Sequence, residues 1–390
     1  MATAYIVDAV RTAGGRRGGR LAGIHPVDLA AHTMDALVLR SGIDPAAVED
    51  VIMGCVGQGG EQAQQVGRMA VLASKVLPES VPAVTIDRQC GSSQQAVHFA
   101  AQAVMSGTQD VVIAAGIESM TRVPMGTPAI LFMKEGLGNY RSPGIVERYG
   151  EAGWTQFAGA EAIADKHGFT KEMMDQFALE SHQKAKAATE SGAFKNEIVP
   201  IDIETPDGPA QHTVDEGIRW DATLEGIAGV KLITPGGKLT AATSSQICDG
   251  ASAALIVSEA ALKKYNLTPL ARIHTLAVTA GDPVIMLEEP LFATDAALKK
   301  AGLKISDIDL YEVNEAFASV PMAWLKHQGA DPAKLNVNGG AIALGHPLGA
   351  SGTKLMATLL HGLKARGGKY GLQTMCEGGG VANVTIVEAL

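Results

Sequence analysis

Short, mainly apolar runs alternate with longer stretches of helical period along the first third of the chain. "AYIVDAV" (4–10), "AVTIDRQ" (83–89) and "DVVIAAGIESM" (110–120) carry the pattern of buried strands. "DVIMGCVGQGG" (50–60) is a strand running into a glycine-rich loop. In "VDLAAHTMDALVLRSG" (27–42) and in 93–106 the apolar positions recur at helical spacing, and Gly42 and Gly107 stop them. Strands alternating with helices predict an α/β fold with a mainly parallel sheet.

The pattern changes between 119 and about 245. Pro and Gly punctuate this stretch, which holds two charged helical patches, "GAEAIADKHG" (159–168) and "TKEMMDQFALESHQKAKAATESG" (170–192). It reads as an insertion. Sheet-like text resumes at "DGASAALIVSEAALKKYN" (249–266), and a second α/β block runs from about 270 to the end. The blocks resemble each other. "SGIDPAAVEDVIMGCV" (41–56) matches "AGLKISDIDLYEVNEA" (301–316) as helix end, glycine, acidic spacer, strand and loop. The strand, Gly/Ser loop, helix and strand of 83–119 have a counterpart in 335–380. The shared order of four elements predicts a duplication, although βαβ units resemble one another in any case. The expected units are 1–118 with 246–268, an inserted 119–245, and 269–390.

Composition narrows the class. Of 390 residues, 46% are hydrophobic, 19% charged and 4% aromatic, and 45 are glycine, which suits an α/β enzyme with tight loops. A net charge of −9 without a basic block argues against nucleic acid or an anionic membrane as partner. No apolar run approaches the ~20 residues of a membrane span. The first residues lack the order of a signal peptide. The four cysteines, Cys55, Cys90, Cys248 and Cys376, form no C-x-x-C pair, which disfavours zinc and suggests a reducing compartment. A cytoplasmic protein is expected.

Candidate chemistry lies in four segments. Cys90 precedes a helix, where Ser92 or Ser93 is expected to cap and the free N–H groups to favour a thiolate; the competing reading is a small core residue. His346 sits in "NGGAIALGHPLGASGTK" (338–354), able to activate a thiol or to stand on a loop surface. The Gly-Thr-Lys order excludes a Walker A loop. Cys376 ends a strand before Gly378, Gly379 and Gly380, where backbone N–H groups suit an oxyanion hole or a hairpin turn. Asn314 and Glu315, in "YEVNEAFASV" (311–320), sit where a helix cap is the ordinary reading.

Together, "CGSSQQA", "SSQICDGASA", "NEAFA", "GGAIALGHPLGASG" and "CEGGG", in that order along the whole chain, resemble the thiolase family of acetyl-CoA C-acyltransferases and C-acetyltransferases. The resemblance implies the thiolase fold, two βαβαβαββ-type halves stacked as αβαβα layers with an inserted loop domain. It implies thiolytic cleavage of a 3-oxoacyl-CoA, or Claisen condensation in reverse, by a ping-pong route. By that resemblance Cys90 carries the acyl group, His346 takes its proton and Cys376 is the second acid/base. One oxyanion falls to His346 with a water held by Asn314, the other to the N–H groups of Cys90 and Gly378. Ser245, Arg219, Ala316 and Phe317 match coenzyme A contacts, with coenzyme A as substrate and no metal or redox cofactor. A homodimer or homotetramer is implied. Thr243 stands where an Asn often precedes the serine pair, and "QFAGAEAIA" (156–164) replaces the sequence of short-chain biosynthetic members, which opens larger acyl groups. Glu377 adds a charge beside Cys376 whose direction the sequence leaves open. Three rival functions compete with a thiolase. A β-ketoacyl synthase would pair its cysteine with two histidines, where this chain has Cys376. A non-catalytic, thiolase-like acyl-CoA binding protein would not need every reactive position filled. A cysteine hydrolase would consume acyl-CoA without passing the acyl group to coenzyme A.

Overall fold

A computed structural model describes residues 2–151 and 153–390. Its main strands are β1 (Ala4–Thr12), β2 (Asp50–Gly54), β3 (Ala83–Ile86), β4 (Val111–Ser119), β5 (Cys248–Ser258), β6 (Ala271–Ala280), β7 (Leu310–Val313), β8 (Tyr370–Glu377) and β9 (Val381–Ala389). They form one sheet in the order β7-β8-β9-β6-β1-β5-β4-β2-β3, in which five of the eight neighbouring pairs are antiparallel, so the sheet is mixed and not mainly parallel as the alternation of elements suggests. Two-residue strands at Gly15–Arg16 and Ile198–Val199 add to it, and Ile201–Thr205 pairs with Gly208–His212 as a separate hairpin.

That order carries the duplication. Reading outward from the centre, the first half runs β1, β5, β4, β2, β3 and the second runs β6, β9, β8, β7. The two halves join through an antiparallel pairing at Tyr5–Arg272 and Ile6–Ala271. The second half lacks its outermost strand. The sequence predicts one at "LNVNGG", but only a single bridge, Tyr311 to Leu335, forms there. Asn336 takes the place of the rest. Its Oδ1 accepts from Val313 N at 2.9 Å and its Nδ2 donates to Val313 O at 2.9 Å, so one side chain satisfies the edge of β7. A segment so rich in glycine and asparagine has little β-propensity of its own.

The helices used below are α1 (Pro26–Ser41), α2 (Ser92–Ser106), α3 (Gln156–His167), α4 (Lys171–Glu190), α5 (Glu289–Ala301), α6 (Ser319–Gln328) and α7 (Ser351–Arg366). α1 covers the outer face of the first half, and α5 with α6 covers the outer face of the second. α2 and α7 form the layer between them and touch strands of both halves. Their shared core combines Ala96, Val97, Ala100 and Ala101 of α2 with Met356, Ala357 and Leu360 of α7. This is the αβαβα stacking. Small residues set its closeness. A Cβ on Gly352 would fall deep inside van der Waals contact of Gln94 N and 2.7 Å from Gln94 Cα.

Candidate active site

Two corresponding loops, each leading into a central helix, meet at the joint between the halves. The first connects β3 to α2. Asp87 Oδ1 accepts from Gln89 N at 2.6 Å, and Gln89 takes φ 47°, a left-handed backbone uncommon for a residue with a side chain. Cys90 follows, half-buried. The cap of α2 is Gly91, with no side-chain cap bond, so the expected serine cap does not form. Ser92 instead ties the loop together, donating to Gln89 O at 2.6 Å and accepting from Arg88 N at 2.9 Å. Ser93 Oγ accepts from Thr353 N on α7 at 3.0 Å. Both serines lie inside the first turn, where the loop bonds of Ser92 and the Thr353 bond of Ser93 replace capping.

The second loop connects the edge of β7 to α7 and carries His346, buried. Ser351 donates its hydroxyl proton to Pro347 O at 2.8 Å. Its oxygen is 2.5 Å from His346 Nδ1 and therefore accepts the Nδ1–H. That bond fixes the tautomer and leaves Nε2 unprotonated, the form a general base requires. Asn314 Nδ2 lies 3.4 Å from Nε2, and Asn314 Oδ1 is buried with no protein partner.

The His346 loop is braced from three sides. Glu315 is no helix cap, since α6 begins only at Ser319. Its buried carboxylate accepts from Ser181 Oγ at 2.7 Å, Asn336 Nδ2 at 2.9 Å and Ile342 N at 3.1 Å. Lys354 donates to Leu344 O at 2.5 Å and Gly345 O at 3.1 Å. Glu118, at the end of β4, accepts from Val56 N, Gly57 N and Gly349 N, each at 2.9 Å, and so bridges the two halves. Sequence reasoning passed over Glu118 and Lys354. The available signal was a charged residue inside an otherwise apolar run, which is buried only when paired or hydrogen-bonded.

Cys376 lies near the end of β8, buried, and opposite Ala382. The turn to β9 passes through Gly379 and Gly380 at φ 87° and 76°. This turn meets the Cys90 loop. A Cβ on Gly378 would stand 2.9 Å from Gln89 Oε1, and Asn383 Nδ2 donates to Gly91 O at 3.3 Å.

The electrostatics keep the two thiols and the imidazole neutral at neutral pH. Burial, then the Glu377 carboxyl, pushes the Cys90 thiol up to about 12, although the residue is only half-buried by surface exposure. This reverses the thiolate expected from the helix start, because desolvation outweighs the dipole. Burial, then the charge of Cys90, also raises Cys376 well above an ordinary thiol. Burial, then Lys354, lowers His346 to about 3. The resting form of this pair is therefore the neutral thiol with the neutral imidazole.

The four other predicted residues fall into two groups. Residues 243–245 run antiparallel to 316–318, with Ser245 N donating to Ala316 O at 2.9 Å, Ala318 N to Thr243 O at 2.9 Å and a bridge between Ser244 and Phe317. Ser245, Ala316 and Phe317 thus share one strip, and Phe157 of α3 packs edge-on against Phe317 at 5.7 Å. Arg219 lines a cavity of about 590 Å³ with His182, Thr223, Ala242, Gln246 and Ile342. Arg219 N donates to His182 Nδ1 at 3.2 Å, and burial, then Arg219, holds His182 down at about 4. Gln246 O accepts from His346 N at 3.0 Å, so this cavity adjoins the His346 loop. Among the described residues no cluster of side chains suits a metal, and no helix is long and apolar enough to cross a membrane.

Comparison with known proteins agrees along the full length. Residues 4–260 match the thiolase N-terminal domain and residues 267–389 the thiolase C-terminal domain. The steroid 3-ketoacyl-CoA thiolase FadA6 of Mycobacterium tuberculosis is 54% identical, covering 100% of this chain and 95% of that protein. A 3-ketoacyl-CoA thiolase of Cronobacter sakazakii is 42% identical with 100% of both chains covered. The human mitochondrial 3-ketoacyl-CoA thiolase superposes with a TM-score of 0.90 at 36% identity, over 100% of this chain and 99% of that one. With both halves matched in order and the sheet duplicated as the sequence predicts, this chain belongs to the thiolase family.

Proposed function

We propose that this thiolase cleaves 3-oxoacyl-CoA with coenzyme A, releasing acetyl-CoA and a shortened acyl-CoA through an acyl-Cys90 intermediate. The observation that carries the role assignment is the His346 tautomer, with Nδ1–H held by Ser351 and Nε2 unprotonated, accepting from Asn314 Nδ2 at 3.4 Å. Nε2 takes the Cys90 proton as sulfur attacks the keto carbon, and as imidazolium it donates toward the developing oxyanion. Asn314 Oδ1 supports the assigned water, since a buried amide oxygen without a protein partner needs a donor. The C–C bond breaks toward acetyl-CoA, and Cys376 protonates the leaving enolate. The N–H groups of Cys90 and Gly378 serve the thioester oxygen. Arg219 and the strip of Ser245, Ala316 and Phe317 hold coenzyme A, with 119–245 as the binding insertion that interrupts the first half, 1–118 with 246–268, ahead of the second half, 269–390.

The test is a thiolysis series of 3-oxoacyl-CoAs of rising size, read as acetyl-CoA release. Ring-bearing acyl groups are expected to turn over well, an expectation supported by the identity to a steroid thiolase and by Phe157 lying partly exposed beside Phe317. Cleavage of acetoacetyl-CoA alone would overturn that preference. Cys376→Ser is expected to keep acyl-Cys90 formation and to lose about 10²- to 10⁴-fold in C–C exchange, the usual worth of one acid/base group. Normal turnover by this variant would assign the second proton transfer elsewhere.

A homo-oligomer belongs to the same proposal. β3 is the outer strand of the sheet, and its residues 83–86 are only partly covered. An open edge is a template for pairing with a second copy. Ile130, Leu131, Phe132 and Met133 stand exposed on the inserted segment as a second apolar surface. Light scattering is expected to give at least twice the 40.4 kDa chain mass; a monomer would refute it.

A further inference from the structure

Beside the two sulfurs lies a carboxyl group to which the thiolase reaction assigns no role. Glu377 is the last residue of β8, directly after Cys376. It is fully buried, and neither Oε1 nor Oε2 has a hydrogen-bond partner. The carboxyl lies flat against Gly91, the residue after Cys90: a Cβ on Gly91 would overlap Oε1 and come within 3.0 Å of Glu377 Cγ. Gly91 is therefore the only kind of residue that lets this acid reach the nucleophile loop.

We propose that Glu377 sets the pH window of the reaction, acting as an uncharged acid that permits Cys90 to give up its proton and, once ionised, as a charge that opposes it. The proposal rests on Cys90 being the nucleophile. A buried carboxylate without donors is far costlier than the neutral acid. The one nearby cation is Arg88, whose Nε is itself buried and unpartnered, and among the described residues no ion pair joins the two. The groups facing this pocket are Asp87, Arg88 and Cys90 from the loop, Cys376 from the same strand, the uncharged Asn383 from β9, and Glu118 beyond Cys90. Arg88 and, to a smaller extent, the backbone of Asn383 favour the carboxylate, and they only partly offset burial, which moves Glu377 up to about 8. Asp87 and Glu118 act on Cys90 in the same direction as Glu377. Glu377 exchanges its proton with solvent, the Cys90 proton goes to His346, and no oxidation is involved. Glu377 thus acts through Cys90 and is a positioning residue for charge.

The sign follows directly. Below pH 8 Glu377 is neutral, and Cys90 reactivity climbs with pH as the thiolate fraction grows. Across pH 8 Glu377 ionises, the Cys90 thiol becomes a weaker acid, and the climb flattens. The measurement is the rate of Cys90 alkylation by iodoacetamide, located by peptide mass mapping, from about pH 6 to about pH 10. The wild-type profile is expected to bend near pH 8. E377Q, uncharged and of the same size, is expected to rise without a bend and to exceed the wild type by about tenfold at the alkaline end, the effect of one pH unit on thiol acidity. In the wild type alone, the infrared carbonyl stretch of a neutral buried acid is expected to vanish across the same interval. Superimposable profiles for wild type and E377Q, or a wild type without that band at neutral pH, overturn the proposal. A protein whose Cys90 accepts neither alkyl nor acyl group overturns the nucleophile assignment instead.

Discussion

Cys90→Ala is expected to abolish thiolysis, lowering turnover by at least about 10⁴-fold while leaving the fold and acyl-CoA binding in place. The size of the effect follows from what the other groups cannot do. His346 can move a proton, and the N–H groups of the loop can hold an oxygen. Neither can receive an acyl group, so the two-step path closes rather than slows. The Cys90 side chain is small and half-buried, so alanine leaves only a minor void, and the Asp87–Gln89 and Ser92 bonds that shape the loop do not involve its sulfur. Calorimetry of the variant is therefore expected to show a melting temperature close to wild type, and titration with coenzyme A an affinity close to wild type. Residual acetyl-CoA release above a few per cent of wild type would place the covalent step on another thiol, and mass mapping would identify which of Cys55, Cys248 or Cys376 carries the acyl group.

Gly352→Ala is expected to cost about 3 kcal/mol or more of stability. The new Cβ would be driven into the backbone of α2 at Gln94 N, and would lie 2.7 Å from both Gln94 Cα and the Ser93 carbonyl carbon. A side chain could rotate away; a helix backbone cannot. α2 and α7 would have to separate, and they are the middle layer against which both halves of the sheet pack. The damage extends to chemistry. Gly352 adjoins Ser351, which fixes the His346 tautomer, and Thr353, whose N–H holds Ser93. The variant is expected to melt several degrees lower and to lose activity even at temperatures where it stays folded. An unchanged melting temperature would mean that the helices tolerate a wider spacing than their small residues suggest.

The sequence resolved the parts of this site that depend on local chemistry. Strand and helix periods placed α1 and α2 to within a residue, and the order of five motifs identified the family. The duplication was legible because corresponding segments keep their order even where their residues differ. Four features were not. Ser92 and Ser93 match a capping pattern, but only the packed structure shows Thr353 N competing for Ser93 and Arg88 N for Ser92. The strand expected at 335–338 is reduced to one bridge because a side chain, Asn336, does the work of a backbone. The charge state of Cys90 also escaped, since it depends on burial and on Glu377, a residue far away in sequence. Glu118 and Glu315 were invisible as braces for the same reason. Their partners Gly349, Ser181 and Asn336 come from segments that nothing local connects to them.

The position of the joint also has a temporal side. A ribosome makes the chain from its first residue, and Cys90 emerges long before its base. His346 follows in the last quarter, and Cys376 on the next-to-last strand of the sheet. Until β9 is synthesised and takes its place between β8 and β6, the second sulfur has no fixed relation to the first. A nascent or truncated chain that lacks β9 therefore has no means of transferring an acyl group. Activity in this protein reports completion of synthesis.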